Sequence, residues 1–264
     1  MKLGLIGFGG LGSLVAAHLR HEAAMQFVGV AARPSQLGKI RAVLGAVPVV
    51  DSAAALIALQ PDLVIECASH AAFREYAEPV LGAGIDLIAV SVGVLADAAY
   101  RERVLATARR CGGVLEIPAG AIGAIDVIAA ARHAGLSRVA YVTRKSPRAW
   151  SGTPAETMID LKLVRAPALF FDDTAQRAAT IFTEKANVTA TLALAGIGFE
   201  ATRVQLWVDP AVDKSVHHIE AEGACGSLAI ELANNVAPSD GKASLLTAMS
   251  IVRAVRNRSA GLRV

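Results

Sequence analysis

Lys2-Leu3-Gly4-Leu5-Ile6-Gly7-Phe8-Gly9-Gly10-Leu11-Gly12 opens the chain, and Leu14, Val15, Ala17, His18 and Leu19 continue it in a helical pattern. An apolar strand thus feeds a Gly-x-Gly-x-x-Gly turn that opens a helix, the context in which this pattern has a physical meaning. Gly7 permits the tight turn, Gly9 lets the backbone approach a pyrophosphate, and Gly12 lets helix and strand pack closely. The free N–H groups and positive dipole end of the helix then face the phosphates. Gly7, Gly9, Gly10, Leu11 and Gly12 are therefore the expected cofactor-binding residues of a dinucleotide site. Glycine triplets also occur in plain turns, and the position between strand and helix is what distinguishes this one.

Apolar strand runs follow at residues 27–31, 47–50, 63–67, 87–90 and 114–117, with helical patterns at 11–21, 36–44, 53–59, 71–83 and 97–110. Such alternation implies right-handed crossovers and a parallel sheet covered on both faces, an α/β fold with a Rossmann-type doubly wound parallel sheet. Ligands bind such sheets beyond the carboxyl ends of the strands. That rule selects three turns: 7–12, Ala68-Ser69-His70 and Ser91-Val92-Gly93.

The pattern changes after Pro118. The small residues Ala119-Gly120-Ala121-Ile122-Gly123 lead into a helix near 124–134, and longer strands read at 138–144, 203–208, 216–222 and 228–232. Helices near 173–182 and 188–197 interrupt them. This predicts a second α+β domain built on a mostly antiparallel sheet open on one face. The expected organisation is a dinucleotide-binding domain over 1–120 and a substrate-binding and oligomerisation domain over 121–240. A C-terminal helix within about 241–264 is expected to pack back on the first domain, and the active site to lie in the crevice between the domains.

Composition narrows the class. Hydrophobic residues make up 54% of the 264 residues and charged residues 19%, which describes a well-buried globular protein. The net charge of +3 is mild, and Arg101, Arg103, Arg109 and Arg110 read as a solvated helix face, so no nucleic-acid partner is expected. Cys67, Cys111 and Cys225 form no C-x-x-C pair and read as reduced thiols. His217-His218 is a poor metal signal because strand neighbours point to opposite faces, so no metal is expected. Met1-Lys2 runs straight into the first strand, and no uninterrupted apolar run reaches the roughly 18 residues of a membrane span. The expectation is a cytoplasmic protein with no membrane association.

The second strand ends Gly29-Val30-Ala31-Ala32-Arg33-Pro34, without the carboxylate that normally holds the adenosine ribose of NAD. Arg33 is suited to pair with a 2′-phosphate instead, although an exposed turn residue tolerating either cofactor fits the same sequence. The expected cofactor is NAD or NADP, with NADP accepted.

Three further stretches resemble the L-aspartate dehydrogenases. Ile117-Pro118-Ala119-Gly120-Ala121-Ile122-Gly123-Ala124-Ile125-Asp126 resembles their loop between domains. Arg144-Lys145-Ser146-Pro147-Arg148-Ala149-Trp150-Ser151-Gly152-Thr153-Pro154-Ala155-Glu156 is similar to their Lys-Pro-Pro-x-Ala-Trp-x-Gly-Thr-Pro segment, with Ser146 in place of a proline. Asn187-Val188-Thr189-Ala190-Thr191-Leu192-Ala193-Leu194-Ala195-Gly196 resembles their cofactor-facing helix start. Val216-His217-His218-Ile219-Glu220 falls where the family carries its functional histidine, with Ser215 where the family often has Asn.

The resemblance implies that His217 is catalytic, that Ala121 and Asn187 contact the cofactor, and that the chain forms a homodimer. It also implies NAD(P)-dependent oxidation of L-aspartate to iminoaspartate, reversible and able to feed NAD synthesis. Asn187 also reads as a helix N-cap. Lys145, Thr153, Arg144 and Lys185 are possible partners for the substrate carboxylates, of which Lys145 and Thr153 are kept. His70 reads equally as a cleft residue or a helix start. Two rivals remain open at this point: a reductase of a related small metabolite such as dihydrodipicolinate, and a non-catalytic NAD(P)H-sensing protein.

Overall fold

Leu3, Leu5 and Ile6 are buried, because β1 (Lys2–Ile6) lies inside a parallel sheet covered on both faces. The computed structural model describes residues 1–183, 186–236 and 244–263. After α1 (Gly10–Leu19) come β2 (Gln26–Ala31), α2 (Leu37–Leu44), β3 (Val49–Val50), α3 (Ala53–Ala58) and β4 (Leu63–Glu66). Then follow α4 (His70–Gly82), β5 (Asp86–Ala89), α5 (Ala98–Cys111) and β6 (Leu115–Glu116). The six strands are ordered β3-β2-β1-β4-β5-β6, all pairings parallel. The order reverses direction between β1 and β4, and that switch point is where such sheets bind ligands.

The remaining described strands form a separate five-stranded sheet. Its elements are α6 (Ile125–Ala131), β7 (Leu136–Lys145), α7 (Pro147–Trp150), β8 (Ala168–Thr174), α8 (Ala175–Ile181), α9 (Asn187–Ala195), β9 (Arg203–Val208), β10 (Ser215–Gly223) and β11 (Gly226–Asn234). The order is β11-β10-β7-β9-β8, antiparallel except for the parallel β7–β9 pair. Alternation sorts the side chains: Tyr141, Thr143, Val204, Leu206, Val208, His217 and Ile219 are buried on one face. The other face carries ion pairs, among them Arg138–Glu220, Arg144–Asp209 and His218–Glu220.

Two sequence expectations need correction. β8 was not expected, whereas the helix expected near 173–182 is present as α8, starting at Ala175 where β8 ends. The polar end of β8 hides it from hydropathy: Asp172 pairs across the ladder with Gln205 and accepts from Arg203 Nε at 2.7 Å and Gln205 Nε2 at 3.1 Å. Asn187 is the first residue of α9, and the cap position before it belongs to Ala186, so the N-cap reading of Asn187 does not hold.

The chain divides into two compact units, one of them Ala121–Val236 and the other holding Met1–Gly120 with the last helix. The boundary expected at 240 lies outside the described residues. α10 (Leu245–Ser259) contributes Ala248, Ile251, Val252, Ala254 and Val255 to the same buried cluster as Leu3, Leu5, Val15, Leu19 and Ile88. Burying each large aliphatic side chain contributes about 1.5–3 kcal/mol, so this face is what holds the helix to the first unit. Arg258 completes the contact, pairing with Asp86 and with Glu116 at 2.6 Å.

Candidate functional site

The glycine turn departs from a generic loop in three measurable ways. Gly7 has φ +87°, and a Cβ there would meet Ala68 Cβ at 2.6 Å and Ala68 Cα at 2.8 Å. A Cβ on Gly12 would lie 2.2 Å from the carbonyl oxygen of Gly7. Gly9 is different: it is exposed, it is the N-cap of α1, and no protein atom lies within 4 Å of its would-be Cβ. Gly7 and Gly12 are therefore demanded by the protein's own packing. Gly9 leaves open space at the amino end of α1, as backbone approached by a ligand requires. Gly10 and Leu11 begin the helix, half-buried. The residues fit a dinucleotide pyrophosphate. Arg33 stands exposed just beyond β2, as the N-cap residue of a short 3-10 turn.

In the C-terminal unit the two neighbouring histidines diverge. His218 Nε2 lies 3.0 Å from Glu220 Oε1, on the face of ion pairs. His217 is only 4% exposed, and its Nδ1 lies 2.7 Å from the hydroxyl of Tyr141, which is itself 3% exposed. Burial first, and the charge of Lys145 second, push the His217 imidazole down to a pKa of about 3. Burial holds the Tyr141 phenol well above its ordinary range. A neutral imidazole hydrogen-bonded to a neutral phenol is the state this environment selects.

Lys145 lies two residues beyond Thr143 on the same strand face, its Nζ 4.9 Å from the centre of the Trp150 ring. Tyr141, Thr143, Lys145, Trp150, Phe182 and Thr189 help line one tight, mostly closed pocket. The Thr143 hydroxyl donates to the Val216 carbonyl at 3.0 Å, tying β7 to β10 beside His217. Tyr141 was missed from sequence, although strand alternation puts it on one face with Thr143 and Lys145.

The other expected residues are placed as follows. Thr153 donates to the Trp150 carbonyl at 2.6 Å and accepts from the Ala155 N–H, so its hydroxyl is engaged in the turn that follows α7. Ala121 is half-buried, and its carbonyl accepts from Asn234 Nδ2 at 2.6 Å, a second partner that sequence did not reveal. Asn187 is half-buried at the start of α9. Arg144 pairs with Asp209 and Glu231 on the face opposite His217. His70 begins α4 behind the Ser69 cap. Lys185 lies outside the described residues. Among the described residues no group of three or more His, Cys, Asp or Glu side chains could hold a metal ion, and no helix is long and apolar enough to cross a membrane.

A doubly wound sheet with this glycine turn at its carboxyl edge defines the class of dinucleotide-binding proteins. The aspartate dehydrogenase C-terminal model matches residues 126–258, and the NAD-binding domain model of homoserine dehydrogenase matches residues 7–118. The chain is 40% identical to an L-aspartate dehydrogenase of Ruegeria pomeroyi over 265 residues, covering 100% of this chain and 94% of the relative. With an L-aspartate dehydrogenase of Ralstonia nicotianae it shares 47% over 200 residues, 76% of this chain and 75% of that one. The aspartate dehydrogenase structure from Thermotoga maritima has the same fold, with a TM-score of 0.78 at 24% identity over 100% of this chain and 99% of that one. The chain belongs to the aspartate dehydrogenase family.

The glycine geometry separates two substitutions. Gly9→Val is expected to leave the melting temperature near that of the wild type while abolishing measurable cofactor binding by fluorescence titration. Gly12→Val is expected to destabilise the fold itself by about 1–3 kcal/mol in urea denaturation, since backbone must move to admit the side chain.

The buried imidazole also sets a pH dependence. Its folded pKa of about 3 lies below the ordinary 6.5, so between those values the unfolded chain binds the extra proton. The stability linked to His217 is complete above about pH 6.5 and is lost as pH falls toward about 3. The stability difference between wild type and His217→Gln, from urea titrations at several pH values, should change across this window by up to about 1.4 kcal/mol per pH unit. A difference independent of pH would show that His217 titrates normally.

Proposed function

We propose that this protein oxidises L-aspartate to iminoaspartate using NAD⁺ or NADP⁺, and runs the reverse reductive amination. The observation that carries the reading is the buried His217 imidazole held by Tyr141 beside the Lys145 cation. The bound cofactor supplies the hydride acceptor for the hydrogen on the substrate Cα. The chain supplies the rest. With the Nδ1 proton donated to the Tyr141 oxygen, His217 presents the lone pair of Nε2 as a base for the substrate ammonium. Burial is the larger cause of the depressed His217 basicity and the Lys145 charge the smaller; a substrate carboxylate meeting Lys145 offsets that smaller part, so aspartate binding makes the imidazole a somewhat stronger base.

Lys145, on the sheet face that holds His217, is the substrate-binding residue of this reading; Thr153, with its hydroxyl committed to a turn, shapes the segment that carries Trp150. Ala121 and Asn187 meet the cofactor, and the Gly7, Gly9, Gly10, Leu11 and Gly12 turn grips its pyrophosphate. The imine leaves either to quinolinate-forming chemistry or to hydrolysis, giving oxaloacetate and ammonia. Family resemblance further supports a cytoplasmic homodimer with residues 121–240 as the substrate-binding and oligomerisation domain.

Steady-state reduction of the cofactor by L-aspartate tests the assignment. His217→Ala is expected to lower kcat by about 100-fold or more, the scale of a lost acid–base group, while cofactor affinity survives. His218→Ala, on the opposite face, keeps most of the activity. Full activity in His217→Ala would contradict the role given to the imidazole.

Arg33 generates a second test, on cofactor choice. Arg33→Ala is expected to weaken NADP⁺ more than NAD⁺ by about 1–3 kcal/mol, read as the ratio of KM values. Equal changes for both cofactors would remove Arg33 from 2′-phosphate recognition.

A further inference from the structure

Glu66 ends β4 only 1% exposed, a carboxylate held by backbone and hydroxyl donors. Its partners are all donors. Oε1 accepts from the Ala68 N–H at 2.7 Å, the Ser69 N–H at 3.1 Å and the Ser91 hydroxyl at 2.8 Å. Oε2 accepts from the Ser91 N–H at 3.0 Å. Burial raises the pKa of this carboxyl and those hydrogen bonds oppose the rise.

The two segments tied together are the turn after β4 and the turn after β5, both at the carboxyl edge of the parallel sheet. The first also abuts the glycine turn, because Ala68 is the residue a Cβ on Gly7 would strike. Position along the sheet says which part of the cofactor is affected. The adenosine half belongs to the β2 side, where Arg33 stands, and the pyrophosphate to the turn after β1. The order β3-β2-β1-β4-β5-β6 then puts the nicotinamide half over β4 and β5.

We propose that Glu66 is a positioning residue for the nicotinamide half of the cofactor, acting by fixing the 68–69 and 91 backbone as one rigid shelf. It touches no substrate. Its effect reaches the cofactor through turns that would otherwise move independently.

Glu66→Gln tests this with almost no change of shape. An amide has one oxygen for two clusters of donors, so either Ser91 N–H or the Ala68, Ser69 and Ser91 hydroxyl group must face an NH₂. The measurement is the affinity of the full-length variant for two probes by calorimetry or fluorescence: NADPH, and ADP, which lacks the nicotinamide half. The expected result is NADPH affinity lowered about tenfold or more, the scale of a broken buried hydrogen bond, with ADP affinity within about twofold of wild type. A general loss of structure would weaken both probes together, and that result, or no change in either, overturns the proposal. Ser91→Ala, which removes one donor and no charge, should give a smaller loss in the same direction and keeps the test available if Glu66→Gln does not fold. Wild-type protein that binds neither probe would instead refute the dinucleotide site itself.

Discussion

The carbonyl oxygen of Gly7 and the α-carbon of Gly12 approach so closely that any side chain at Gly12 would collide with it, at 2.2 Å for the Cβ alone. That contact lets α1 start directly off the end of β1, aiming the helix N–H groups past the sheet edge. The first unit is arranged around it. Ala68 closes the turn from the β4 side, Glu66 holds Ala68, and α10 packs Ile251 and Val255 into the cluster that contains Val15 and Leu19 of α1. Gly9 escapes the crowding, and its open surroundings are where the chain yields space to something other than itself.

The C-terminal unit solves an opposite problem. Its sheet buries a polar pair, Tyr141 and His217, among Val204, Leu206 and Ile219. Unsatisfied, each buried polar group would cost about 1–3 kcal/mol; bonded to each other at 2.7 Å they are satisfied and oriented at once. The cost of keeping the imidazole in such a place is its basicity, depressed by burial and by Lys145. In the function proposed above, a dicarboxylate substrate at Lys145 would offset the smaller, coulombic part of that depression and so couple substrate recognition to the acid–base step.

Much of this was legible in the residues, and the misses share a cause. Strand–helix alternation over 1–120 and the opposite facing of His217 and His218 follow from periodicity, a local property. β8 was hidden because Asp172 and Asp173 look like loop residues until Arg203 and Gln205 stand across from them. Tyr141 lies 76 residues from His217 in sequence, and Asn234 lies 113 from Ala121, so neither pairing has a local signature. The hydrogen bond to the His217 imidazole comes from the neighbouring strand through Tyr141, not from a residue close to it in sequence. Glu66 offered one clue, a carboxylate inside the apolar run Leu63-Val64-Ile65-Glu66-Cys67, which a solvated side chain would not occupy.

Hydride transfer from the Cα of aspartate is the event at the centre of the proposed function, and an isotope reads it directly. L-Aspartate deuterated at Cα is incubated with the protein and NADP⁺ or NAD⁺, and the reduced cofactor is weighed by mass spectrometry. Direct hydride transfer gives reduced cofactor heavier by one mass unit, carrying the deuterium on its nicotinamide ring, with oxaloacetate and ammonia accumulating as the imine hydrolyses. Reduced cofactor without deuterium, or no reduced cofactor from aspartate under conditions where the protein binds the dinucleotide, would contradict it.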